Sequence, residues 1–143
     1  MATSLDDVID LALVIVNDYS LGAYYERDEE GFKKFCDGLL ISAIPNFFQC
    51  RKSLDYDAET RMFVSELDNI EVSILADFWA MQWATRIINT KAYLEQKMQT
   101  GSFKAHSEAQ WTKDLTNKLD GMREKVYQKI TDYQLEDLSN IDL

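Results

Sequence analysis

A chain of 143 residues, 46% hydrophobic and 12% aromatic, is of single-domain size and too apolar to stay disordered. Its formal net charge of −10 excludes broad phosphate-backbone binding, which needs a basic surface. Five glycines and one proline favour long helices over a many-turned β architecture.

Ser4 followed by Asp6 and Asp7 is a helix start, with a capping hydroxyl and acids suited to the positive end of the dipole. Leu5, Val8, Ile9, Ala12, Leu13, Ile15 and Val16 follow helical spacing and predict a helix over 5–19. SLGAYYERDEEG, residues 20–31, reads as a loop in which Asp28 caps the next helix. Phe32, Phe35, Cys36, Leu39, Leu40, Ala43, Ile44, Phe47 and Phe48 then step by three and four and give one strong apolar face. Pro45 cannot donate to the preceding turn and predicts a kink or a new turn near 42–44.

The stretch at about 52–67 has no sustained helical period and predicts an extended loop, with a short extended piece at Met62–Val64. Asp68-Asn69-Ile70-Glu71 opens the next helix with an arrangement close to a capping box. Ile70, Ile74, Leu75, Phe78, Trp79, Met81, Trp83, Ile87 and Ile88 wrap more than one face, which predicts a central or interface helix running to about Met98. After Gly101 a last helix resumes near 103–105, with Leu115, Leu119, Met122, Val126 and Tyr133 on a heptad-like seam and Ile130 alongside. Two long helices joined by a short Gly-Ser turn predict an antiparallel hairpin. The expected fold is all-α, a four-to-five-helix bundle: a helical domain over 1–131 and an extended acidic C-terminal tail over 132–143.

Charge is unevenly placed. Residues 1–31 carry eight acids and one base (−7), 86–129 carry nine bases and five acids (+4), and 132–143 carry four acids (−4). An acidic first segment and a basic helix pair suit polar head-to-tail contacts between copies; a solvated face on each helix is the plainer reading. Cys36 and Cys50 have no CxxC spacing and read as buried free thiols of a reducing compartment. MATSLDD lacks a basic start and apolar run, so no signal peptide is expected, and the apolar run Leu11–Val16 is too short for a bilayer.

Chemistry is sparse. Asp55, Asp57 and Glu59 lack the turn glycine and distant bidentate glutamate of a calcium loop. His106 is the single histidine and has no clustered ligands, so no metal is expected. No phosphate-cradling glycine motif and no nucleophile–base arrangement is present, so neither a cofactor nor enzyme activity is expected. Trp79 and Trp83 at i,i+4 on an apolar helix suit packing better than base stacking, which wants a basic groove. Tyr24, Tyr25 and Tyr56 fall in expected loops, as interface anchors or as lids over the core.

The run AIPNFFQCRKSLDYDAETRMFVSELDNIEVSILADFWAMQW, with FKAHSEAQWTKDL and KITDYQL, resembles the head-to-tail adaptor (head-completion or connector) proteins of tailed phages, over Leu5 to about Leu135. The resemblance implies a small helical subunit of the virion neck, assembled in the host bacterial cytoplasm, with no catalytic residue, cofactor or membrane. Such subunits form a ring with themselves, usually twelvefold, under the portal protein. They extend a channel through which DNA passes without specific binding, and they dock a stopper or tail-completion protein. On this reading residues 53–63 protrude to make ring contacts and 132–143 reach neighbouring proteins. The implied interface comprises Tyr24, Tyr25, Asp55, Tyr56, Asp57, Tyr133, Leu135, Leu138 and Ile141. The alternative is a small helical phage-encoded binding module or regulator acting on a host protein.

Overall fold

The structure, a computed structural model, describes residues 2–16, 19–97 and 102–139, with side chains described outside 19–20, 90–109, 111–112 and 137–139. Among these residues the order is α1 (Leu5–Val16), α2 (Tyr19–Arg27), α3 (Glu29–Ala43), a 3₁₀ turn (Ile44–Asn46), β1 (Tyr56–Asp57), β2 (Met62–Phe63), α4 (Asn69–Lys97) and α5 (Ser102–Ser139). The all-α helical bundle expected from the sequence is the fold.

The expected starts are built from the expected caps. The Ser4 hydroxyl accepts from the Asp6 N–H at 3.1 Å, and the Asp7 carboxylate accepts from the Ser4 N–H at 3.1 Å, closing a reciprocal cap on α1. Asp28 accepts from the Gly31 N–H at 3.0 Å and caps α3. A Cβ at Gly31 would collide with that carboxylate, so glycine keeps the cap closed. At α4 the Glu71 carboxylate reaches back to the Asp68 N–H at 2.8 Å, the reverse arm of a capping box.

α4 is the centre of the bundle and packs against α1, α3 and α5. Ile74, Leu75, Ala76, Trp79, Ala80 and Ala84 are fully buried, as an all-round apolar helix requires. α4 runs unbroken through Thr85, whose hydroxyl bonds back to the Met81 carbonyl at 2.8 Å. α5 lies antiparallel to it, since Tyr133 meets Glu71 while Lys129 meets Ser73 and Asp77. The predicted seam is the buried stripe: Leu115, Leu119, Val126, Ile130 and Tyr133 are buried and Met122 half-buried. The Gly101 turn lies outside the described residues.

Several boundaries differ from expectation. Residues 20–27 are helical, not a loop; α1 is described over Leu5–Val16, α2 begins at Tyr19, and residues 17–18 of the helix expected to reach Tyr19 lie outside the described residues. Gly22 reads as a breaker, yet costs a helix only about 1 kcal/mol. Packing outweighs it: the Tyr24 ring lies 5.7 Å from Phe32 and 5.8 Å from Phe35, holding α2 on α3. Pro45 ends α3 as expected, but the 3₁₀ turn that follows rotates the chain out of the helical period. Phe47 is therefore buried at 1% exposure while Phe48 is 82% exposed, which corrects its assignment to the core face.

The 52–67 stretch is not simply a protruding loop. It carries the β1–β2 hairpin, with Tyr56 opposite Phe63 and Asp57 opposite Met62. The N-terminal segment pairs alongside, the Phe63 N–H donating to the Thr3 carbonyl at 2.8 Å and the Leu5 N–H to the Arg61 carbonyl at 3.0 Å. Phe63 and Leu67 are buried beneath it. The extended tail is also corrected over 132–139: α5 continues to Ser139 across the expected domain boundary, and Tyr133 is buried because it belongs to the seam that packs on α4. Residues 140–143 lie outside the described residues.

Candidate functional site

Among the described residues, three polar clusters and one cleft gather chemistry-bearing side chains from different elements. The deepest cluster surrounds Glu71, a fully buried carboxylate in the first turn of α4. It accepts from the Tyr133 hydroxyl at 2.7 Å and the Cys50 thiol at 3.4 Å, and the Lys52 ammonium lies 3.1 Å away. Burial pushes its pKa up, but the Asp68 N–H, Tyr133, Lys52 and Cys50 donors together outweigh that and hold it below the ordinary value. Tyr133 is raised, first by burial and then by its bond to Glu71. Arg51 completes the knot: its N–H donates to the Tyr133 hydroxyl at 2.9 Å, and its guanidinium sits 3.9 Å from the ring centroid. The cluster ties the segment after α3 to the far end of α5.

The second cluster joins α4 to α5. Lys129 Nζ donates to Asp77 at 2.6 Å and to Ser73 at 2.7 Å. The third fixes the β hairpin to α1 and α3: Arg61 donates to both Asp37 oxygens at 3.0 and 2.6 Å and to Asp6 at 2.9 Å. These bonds hold its proton more tightly than usual. Arg61 has a φ of 55°, in the left-handed region a non-glycine residue rarely adopts, so the double carboxylate grip sits on a strained turn.

Above the Arg61 cluster opens a cleft of about 830 Å³ between α1, α2 and α3. Ile9, Leu13, Leu21 and Phe32 give it an apolar lining, and Asp6, Asp10, Glu26 and Lys33 stand at it. Cys36 lies in its wall with its thiol pushed up to about 12, by burial first and the neighbouring Asp37 carboxylate second. A thiol so protonated at neutral pH is no nucleophile. Both cysteines are free. Among the described residues no group of three or more His, Cys, Asp or Glu side chains is placed to hold a metal ion, and no helix is long and apolar enough to cross a membrane.

The residues singled out from the sequence are scattered by this arrangement. Tyr25 is 46% exposed at the cleft and donates to Glu29 at 3.3 Å. Tyr24 is half-buried in the α2–α3 contact, with Arg27 over its ring at 5.3 Å. Asp57 builds its own turn, its Oδ1 accepting from the Glu59 N–H at 2.9 Å and the Thr60 N–H at 3.4 Å. Asp55 is exposed beside it, and Tyr56 is half-buried against the core. Tyr133 is inside the chain and offers no surface, which corrects its place among the interface residues, whereas Leu135 is 55% exposed. The side chain of Leu138 and the whole of Ile141 lie outside the described residues, as do the His106 and Trp111 side chains. Sequence reasoning missed the cleft because it missed α2. The signal available was the acid density of residues 1–31 over an apolar helix.

Comparison of the chain with protein-family models, with curated proteins and with solved structures finds no match.

Proposed function

We propose that the protein is a structural subunit of a tailed-phage neck, packed side by side in a ring between the portal and a stopper or tail-completion protein. The observation that carries this reading is the mode of packing of α5. At 1.5 Å per residue its 38 residues span about 57 Å. Among its described side chains one stripe is covered by α4 and the opposite face is left to solvent, with Tyr127 56% exposed and Leu135 55% exposed. A long helix with one covered and one open face suits a subunit that completes its contacts on neighbours. The resemblance of residues 5–135 to adaptor proteins supports the same reading. A net charge of −10 suits a channel through which DNA slides, because acidic walls repel phosphate.

A second reading, a helical binding module acting on a host protein, is favoured by the open cleft between α1, α2 and α3. One experiment separates the two. The tagged chain is recovered from phage-producing cells, its companions are identified by mass spectrometry, and the particles are imaged in negative stain. Rings carrying portal or tail proteins are the expected result. A single copy bound to a host protein overturns the neck assignment and selects the binding module.

A further inference from the structure

We propose that the cleft between α1, α2 and α3 is a docking groove for a basic amphipathic helix of a partner protein, one whose apolar stripe is bordered on both sides by lysine or arginine. The chemistry of the occupant follows from the cleft itself and does not rest on the neck assignment.

The lining is apolar and comes from three helices: Ile9 and Leu13 from α1, Leu21 from α2 and Phe32 from α3. Tyr25 adds a ring that is 46% exposed yet held edge-on to Phe32, with 5.6 Å between centroids. An aromatic ring fixed in place and open to solvent is the kind of anchor that dominates protein–protein contacts. One turn past Asp10 along α1 the apolar surface goes on to Val14, which is 74% exposed. A helix laid in such a groove through its apolar stripe is a recurrent mode of recognition.

Gly22 keeps the groove open. It lies inside α2, where glycine is less favourable than alanine by about 1 kcal/mol. Its φ is not positive, and a Cβ built on it would meet nothing within 4 Å. Neither the backbone nor the packing requires glycine there, and what the missing side chain leaves is room in the cleft wall.

Charge selects the occupant. Arg61 is occupied by Asp6 and Asp37, and Lys33 faces Glu29 at 3.4 Å. Asp10 and Glu26 make no ion pair or hydrogen bond among the described residues. One stands on α1 and the other on α2, so the groove offers a carboxylate from each of two flanking helices. A helix with a cation at each edge of its apolar stripe answers both, whereas nucleic acid and anionic membrane are repelled.

The test uses the full chain and a fluorescein-labelled helical peptide of leucine and lysine, about 18 residues or roughly five turns long, read by fluorescence polarisation. The parent is expected to bind it, and a peptide with the same leucines and every lysine replaced by glutamate is expected to bind at least tenfold less tightly. Gly22→Leu, which fills the groove without changing charge, and Asp10→Asn with Glu26→Gln, which removes the two carboxylates, are each expected to weaken binding on the order of tenfold or more while keeping the parent circular dichroism. Asp114→Asn with Glu124→Gln makes the same change in net charge on the exposed surface of α5 and is expected to bind as the parent does. Absence of parent binding, an unchanged affinity in the Asp10/Glu26 variant or in a folded Gly22→Leu, or an equal loss in the α5 variant, which marks attraction to net charge alone, overturns the proposal. Self-association of the parent in light scattering that Gly22→Leu abolishes also overturns it, because the occupant is then a second copy. None of these outcomes bears on recovery of the chain with portal or tail proteins, which tests the neck assignment separately.

Discussion

Arg61 shows how much one side chain can hold. It closes the turn between β1 and β2 in a left-handed conformation, grips two carboxylates on two helices, and its carbonyl accepts the first N–H of α1. Replacement by alanine removes the ion pairs and keeps the strain; replacement by glycine removes both. Arg61→Gly is therefore expected to be more stable than Arg61→Ala by about 1 kcal/mol, against the usual order, as measured by urea unfolding. Glu71 is the other residue on which much depends. Its carboxyl binds a proton less readily folded than unfolded, so its contribution is complete above the ordinary glutamate value of about 4.3. That contribution is lost as pH falls through the depressed folded value, because the unfolded chain takes up the proton first. Unfolding midpoints between about pH 6 and pH 3 should fall on the acid side in the parent and fall less in Glu71→Gln. Tyr133→Phe strips the buried carboxylate of one donor and should cost about 1.5–3 kcal/mol at neutral pH.

The elements are decided by what each can bury. α3 and the turn after it place two adjacent phenylalanines in opposite environments: the Phe47 ring packs 5.5 Å from Tyr133 and 6.5 Å from Phe78, while Phe48 faces solvent. Phe47→Asp buries an unpaired charge and should leave the chain unfolded by circular dichroism. Phe48→Asp should change stability by no more than about 0.5 kcal/mol, as expected of a surface position. α5 makes the parallel case at its far end. Removing 132–143 deletes Tyr133, with its bonds to Glu71 and Arg51, and the last turn of the seam. The truncated chain should show a melting temperature lower by many degrees; an unchanged one would mean that the end of α5 adds nothing to the core.

At the scale of the whole molecule, one contiguous cluster of buried side chains draws on α1, α2, α3, α4 and α5 together. Trp79 and Trp83 sit in it, and Trp79 donates to the Cys36 carbonyl at 2.9 Å. Urea unfolding followed by tryptophan fluorescence and by far-ultraviolet circular dichroism should therefore give one coincident transition. Two separated transitions would divide the helices into independent units and break the picture of a single core.

The sequence by itself determined the helical class, the capped starts at Ser4, Asp28 and Asp68, the stop at Pro45 and the buried stripes of α4 and α5. These follow from local rules: a cap needs only the residues of one turn, and a stripe needs only spacing. α2, the exposure of Phe48, the burial of Tyr133 and the hairpin over Thr3 were decided by tertiary structure. Phe48 left the apolar face because the 3₁₀ turn after Pro45 broke the helical period; in the other cases a contact between elements outweighed the local preference, as when Tyr24 meets Phe35 or Glu71 meets Tyr133. The candidate site belongs to the second group. Its residues come from three helices and a hairpin turn, and no spacing along the chain announces that Asp10, Leu21, Phe32 and Arg61 share one cleft. Only the packing of α2 on α3 brings them together.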